Sequence, residues 1–307
     1  MLSKHRGEFF LILGALFFSV SGLTVTVVLK HLPAFRLAEF RSVTAVAILG
    51  TYVLITRPEI IKIVRSEIPK LGVYGVVGFA IVNFGYLLGI ERGVPLALVL
   101  IIEFTAPIWI ALWIKFVRKG FVARDMWVAI ALSLVGLIFV SKAWDGFTFD
   151  LIGIAGATIS AFALAAYFLM SEKIGKKREP IAMLIFGMGF ASIFWLVVLP
   201  PWSFPFEVFS MKMDLGGIAA GTMVPGWILM ASAAIFGTVI PYLCVLTGMR
   251  LLTASTSSVI GMLEPVLAGA LAWVWFGQSW DLIQLIGAIV VLVGIYLADR
   301  SKSVTAN

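Results

Sequence analysis

The sequence predicts an all-α integral membrane protein: ten transmembrane helices arranged as two inverted five-helix repeats. Three observations lead there. Hydrophobic residues fill 61% of the 307 positions and charged residues only 13%, with a mean hydropathy of +1.08, whereas a soluble domain carries about 25% charge. The apolar runs are long: Phe9 to Leu29 and Leu151 to Ser171 each hold 21 residues without a charge, and about 20 such residues cross a bilayer as a helix. The basic residues gather in short clusters between these runs, as membrane topology requires.

The elements follow in order. Lys4 and Arg6 precede the first apolar run. That run exceeds the apolar core of a secretory signal, about 7–15 residues, so it reads as a membrane helix. The ten spans are predicted at 8–29, 34–56, 70–90, 94–115, 124–141, 151–171, 180–200, 226–247, 252–276 and 280–298. Most connections are short; the longer ones are 57–69 and 201–225, the second rich in Pro, Phe, Met and Gly. Lipid-exposed strands are excluded because hydrocarbon cannot satisfy an open sheet edge, and the alternating pattern of a membrane barrel is missing.

Lys and Arg placement sets the orientation. With the N-terminus cytoplasmic, 17 of the 23 basic residues fall on the inner side and 6 on the outer, so both termini are expected inside a plasma (bacterial inner) membrane. The two halves resemble each other. Arg92, Pro107 and Gly136 recur as Arg250, Pro265 and Gly294, each displaced by 158 residues, and Gly14-Ala15 recurs as Gly156-Ala157. Residues 1–145 and 146–307 are therefore expected to be two repeats. Five crossings per half bring the second copy in from the opposite side, the architecture of many secondary transporters that expose a central site by alternating access.

Other classes fit poorly. A net charge of +7 distributed between spans gives no nucleic-acid face. The single cysteine, Cys244, allows no disulfide within the chain. His5 and His31 lie outside the spans, and there is no HExxH, GxSxG or Walker-type phosphate loop. No enzymatic activity, metal, cofactor or ATP-driven pumping is expected.

Several segments are similar to a known family. "EFRSVTAVAILGTYVL" in the second span, "ALVLIIEFTAPIWIALW" in the fourth, and "ASTSSVIGMLEPVLAGALAWVWFG" with "IQLIGAIVVLVGIYLA" in the last two resemble the drug/metabolite transporter superfamily, EamA type. Arg41 matches its basic residue in the second span, Pro107 and Pro265 the prolines of the fourth and ninth, and Gly287 and Gly294 the glycines of the tenth. The family's Gly-Glu pair after the fourth and ninth spans is replaced by Lys119-Gly120 and Gly277-Gln278. The resemblance implies export or exchange of amino acids, related metabolites or drugs. The partners are the lipid bilayer, a small-molecule substrate and a coupled proton or exchanged solute, in a monomer or homodimer.

The candidate site residues are the polar groups inside spans, which are costly in lipid and usually face a cavity. Glu103 lies about 14 Å into the fourth span and Glu264 about 18 Å into the ninth, from opposite sides. Either they line a central site, binding a substrate amine or a proton, or they are structural carboxylates paired with Arg or hydroxyls. Pro107 and Pro265 follow them and are gating candidates, since a proline frees a carbonyl and kinks the helix; a fixed bend is the alternative. Glu39 and Arg41 open the second span and cannot face each other from two positions apart. They are expected to be structural charges, each with a partner elsewhere, or with Arg41 snorkelling to the interface. Asn83, Tyr167, Ser257 and Ser258 are further binding candidates, the serines alternatively bonding their own helix. Trp109 is a candidate pocket wall or belt residue. Gly85, Gly89 and Gly93 repeat the spacing of close helix packing. A carrier or flippase for lipid-linked substrates and a non-transporting membrane protein remain open alternatives.

Overall fold

The computed structural model describes residues 2–142, 150–277 and 280–301. The expected repeat boundary at 145/146 and Gln278 lie outside the described residues. Helices occupy all ten predicted spans. Among the described residues, nine reach at least 18 residues with strongly apolar windows. The remaining one, the fifth span, Arg124–Val140, has 17, still about 25 Å of helix. One feature was not anticipated. Within the 201–225 connection, Lys212–Asp214 and Met223–Pro225 form an antiparallel two-stranded ribbon outside the spans.

Interruptions in the helices repeat between the halves. The fourth span begins as Leu96–Glu103, breaks, and resumes as Ala106–Leu112; the ninth begins as Ala254–Gly261, breaks, and resumes as Leu263–Phe276. Leu96 to Ala254 and Glu103 to Gly261 are both displacements of 158. Pro107 and Pro265 sit just beyond the breaks, where a missing N–H and a ring clash weaken the preceding turn. The third span widens into a π-helix at Val76–Ile81, and the eighth does so at Ile235–Val239, again about 158 residues apart. π-turns are rare and concentrate at functional sites.

The fifth and tenth spans, Arg124–Val140 and Leu282–Arg300, cross face to face. A Cβ on Gly136 would stand 2.7 Å from both the Gly287 carbonyl oxygen and the Val291 nitrogen, and one on Gly294 2.9 Å from the Ala129 oxygen and 3.0 Å from the Ser133 nitrogen. The 158-residue displacement maps each of these contacts onto the other. Residue numbers rise along one helix as they fall along its partner, so the pair is antiparallel and self-complementary. This is the signature of an approximate two-fold axis lying in the membrane plane, and it makes the repeat inverted.

The halves are interlaced. Gly14 of the first span packs on Pro241 and Val245 of the eighth, and Gly156 of the sixth packs on Gly85 and Leu88 of the third. Each half therefore lays its first helix across the other's third. Gly85 and Gly89 of the expected small-residue stripe do serve close packing, against Gly156 and Val99. Gly93 instead ends the helix with φ +79°, a left-handed turn that glycine enters freely.

Polar contacts tie the helix ends. Arg118 pairs with Glu172 at 2.6 Å, and Glu172 also accepts from the Ala254 N–H that opens the ninth span. At the other face Asp150 caps the sixth span through the Gly153 N–H and pairs with Arg92 at 3.2 Å, while Asp281 caps the tenth and pairs with Lys142 at 2.9 Å. The Gly153 N–H holds the Asp150 carboxyl below its usual range, and Lys142 does the same for Asp281. Gln284 donates to the Val140 carbonyl at 3.0 Å, joining the end of the fifth span to the start of the tenth.

Candidate functional site

A small pocket opens between the halves near mid-span. Ala38, Arg41 and Ser42 of the second span, Asn83 of the third, Met188 of the seventh and Tyr242 of the eighth line it. Its free volume is about 10 Å³, room for about one water molecule.

Of the two expectations for Arg41, a partner elsewhere or a place at the interface, the structure shows the first: the side chain turns inward. Its Nε donates to Thr238 Oγ1 at 2.7 Å and its Nη2 to the Gly237 carbonyl oxygen. Both acceptors belong to the π-turn of the eighth span. Glu39, by contrast, has a local partner: it is buried and accepts from Arg36 at 2.7 Å, one helical turn away. The sequence rule that residues two apart point differently holds here, and it sends Arg41 to the centre.

Asn83 lies where the sequence placed it. Its Nδ2 donates to the Phe79 carbonyl oxygen at 2.7 Å, inside the π-turn of the third span. Phe79 is the repeat equivalent of Gly237. The two π-turns thus offer equivalent carbonyls, and a pocket-lining side chain takes each one.

The two acids approach the same region. Glu264 lies close enough to Arg41 and to Glu103 for their charges to act on it, and Tyr86 and Tyr242 lie within reach of all three. Glu103 is 8% exposed, and its Oε1 lies 2.7 Å from the Ser160 hydroxyl, which is also 2.8 Å from the Val82 carbonyl oxygen. A serine hydroxyl has one hydrogen. Both contacts are satisfied together when Ser160 donates to Val82 and a protonated Glu103 donates to Ser160. Glu264 lies just past the break of the ninth span, where the Ser19 hydroxyl of the first span comes within 3.0 Å of its carbonyl oxygen.

The remaining candidates are scattered around this centre. Tyr167 is buried in an aromatic cluster with Tyr74, Phe79 and Tyr242, and its hydroxyl has no hydrogen-bond partner. Ser258 donates to the Ser255 carbonyl within its own helix, while the Ser257 hydroxyl is buried and unpartnered. Trp109 donates to Thr105 Oγ1 and packs on Phe162 at 4.4 Å, away from the pocket lining. Sequence reasoning missed Ser42, Met188, Thr238 and Tyr242. For Tyr242 the neighbouring Pro241 was a usable signal; a lone threonine in an apolar run gives none.

A ten-helix membrane fold enclosing a polar centre between two inverted halves defines a multi-pass membrane transporter. The family comparison is specific: the EamA-like transporter family matches residues 5–142 and again 151–298, and the chain belongs to that family. Among curated relatives, "Threonine/homoserine exporter RhtA" of Escherichia coli (strain K12) is 27% identical over 279 residues, covering 88% of this chain and 86% of RhtA. "Uncharacterized transporter YdfC" of Bacillus subtilis (strain 168) is 24% identical over 260 residues, covering 85% of this chain and 80% of YdfC. A solved crystal structure superposes with a TM-score of 0.77 at 16% identity, covering 96% of both chains, a likeness of fold.

Proposed function

We propose that this protein exports small zwitterionic metabolites, amino acids foremost, across the bacterial plasma membrane by alternating access, with both termini cytoplasmic. It moves its solute without transforming it. The observation that carries this reading is a guanidinium of the first half lining the pocket between the halves, with Glu264 of the second half near enough to act on it electrostatically and Glu103 near enough to act on Glu264. Arg41 takes the solute's carboxylate, and the acids take its amine or the coupled proton. The relationship to the threonine/homoserine exporter points the same way.

The pocket's small volume supports the alternating part. It lies between two aromatic layers: Phe35, Phe84 and Trp195 on one side, with ring centroids 5.3–6.4 Å apart, and Tyr74, Phe79 and Tyr167 on the other, 5.2–6.1 Å apart. Phe35 lies six residues before Arg41, about 9 Å along its helix, and Tyr74 nine residues before Asn83, about 13 Å along an antiparallel one. The layers therefore close opposite sides. A solute of amino-acid size enters when one layer parts, and the inverted halves supply two related ways of parting it.

The test is counterflow of radiolabelled L-threonine into proteoliposomes preloaded with each of the protein amino acids in turn, repeated across a pH gradient. Saturable, competed uptake is expected. No uptake with any amino acid would refute the substrate assignment. In the same assay Glu103→Gln keeps the Ser160 contact, because an amide can donate as the acid does, yet cannot release a proton. Glu103→Gln and Glu264→Gln are each expected to slow transport about tenfold or more, because an amide can neither carry the charge nor exchange the proton. Wild-type rates in both would remove the carboxylates from the mechanism.

A further inference from the structure

We infer that Thr238 is a positioning residue for Arg41: it fixes the guanidinium so that the remaining nitrogen faces the pocket. The inference rests on the reading above, in which Arg41 receives the anionic end of the solute.

The geometry is a short chain of hydrogen bonds. Thr238 is 1% exposed, and its hydroxyl donates to the Ala233 carbonyl five residues back, at 3.2 Å. That carbonyl is reachable because the helix has widened into a π-turn at Ile235–Val239. With its hydrogen spent on Ala233, Thr238 Oγ1 is left as an acceptor, and Arg41 Nε donates to it at 2.7 Å. The adjacent Gly237 carbonyl takes Nη2. The Nε/Nη2 edge of the fork is thus fully engaged with the eighth span, and Nη1 is left for the pocket that Arg41 lines.

The acceptor pair is itself held in place. A Cβ at Gly237 would collide with the Ser21 hydroxyl of the first span, so the π-turn's backbone is pressed against its neighbour. A planar fork held along one edge presents its other nitrogen in one direction, which is how arginine gains directional recognition that lysine lacks. Thr238 is also specific to one half: the 158-residue displacement places it on Ala80. The first half meets the same π-turn carbonyl with Asn83 and needs no such hydroxyl.

The test compares Thr238→Val, which keeps the shape and removes the acceptor, with Thr238→Ser, which keeps the acceptor. In the proteoliposome assay Thr238→Val is expected to raise KM by about tenfold or more while the maximal rate changes by about twofold or less, since the lost bond orients a binding group. Thr238→Ser is expected to restore KM. Thr238→Ala serves if the valine variant fails to fold. A second readout needs no substrate: in protein labelled with 15N-arginine and held in nanodiscs, the Arg41 Nε–H signal, assigned by its loss in Arg41→Lys, is expected to exchange slowly with water in the wild type and Thr238→Ser and rapidly in Thr238→Val. An unchanged signal in Thr238→Val overturns the proposal. So does an unchanged KM in Thr238→Val when Arg41→Ala abolishes transport. If Arg41→Ala also leaves transport intact, the reading of the site fails, and the exchange measurement alone decides whether Thr238 positions Arg41.

Discussion

Arg41→Ala is expected to lower transport about 100-fold, and Arg41→Lys is expected to recover little of it. The magnitude follows from what is lost. Leaving a buried polar or charged group without its hydrogen-bond partner costs about 1–3 kcal/mol, and about 3 kcal/mol corresponds to about 100-fold. In this protein the alanine variant removes the cation that acts on Glu264. It also leaves the Gly237 carbonyl and the Thr238 hydroxyl without their donor. Lysine restores the charge but not the fork: a single ammonium cannot hold two acceptors on the eighth span and still direct a fixed donor into the pocket. The effect belongs to binding more than to folding. The decisive measurement is therefore the KM and maximal rate of the lysine variant beside its thermal unfolding. A lysine variant transporting as well as wild type with unchanged KM would mean that Arg41 is a structural cation.

The sequence foretold the spans far better than the centre, and the reason is physical. A span is specified by about 20 consecutive apolar residues, a signal that any one position barely affects. Most helix ends therefore fell within a few residues of prediction, as for the second span at Ala34–Thr56, although the first helix begins at Leu2, six residues before the expected start. The breaks in the fourth and ninth spans were partly legible, because Pro107 and Pro265 advertise them. The π-turns were not. Val76–Ile81 has no proline, and Pro241 after Ile235–Val239 frees the Gly237 carbonyl without specifying a widened turn. Arg41 illustrates the same limit. Its periodicity excludes a pairing with Glu39, but which neighbour receives it depends on where an inverted copy of the third helix lies. The missed residues, Thr238 above all, became visible only once that neighbour was in place.

The inverted arrangement makes a prediction that no single-helix argument would. Because Gly136 and Gly294 occupy equivalent places in one self-complementary crossing, alanine at either is expected to destabilise the protein by a similar amount, about 1–3 kcal/mol for overpacking. Besides a Val291 methyl at Gly136 and the Ser133 hydroxyl at Gly294, each new methyl would meet backbone atoms of the facing helix at 2.7–3.0 Å. Backbone cannot rotate aside as a side chain can, so relief comes only by moving the two helices apart. Gly136→Leu and Gly294→Leu separate them further and are expected to prevent accumulation of folded protein. Gly22 provides the control: nothing lies within 4 Å of its would-be Cβ, so Gly22→Ala is expected to be neutral or to stabilise by up to about 1 kcal/mol through helix propensity. Thermal unfolding of the detergent-purified variants, followed by size-exclusion chromatography, measures all of these. Equal losses at Gly136 and Gly294 beside a neutral Gly22→Ala are what a two-fold axis through this crossing demands. A marked asymmetry would mean that one half carries the fold while the other leans on it.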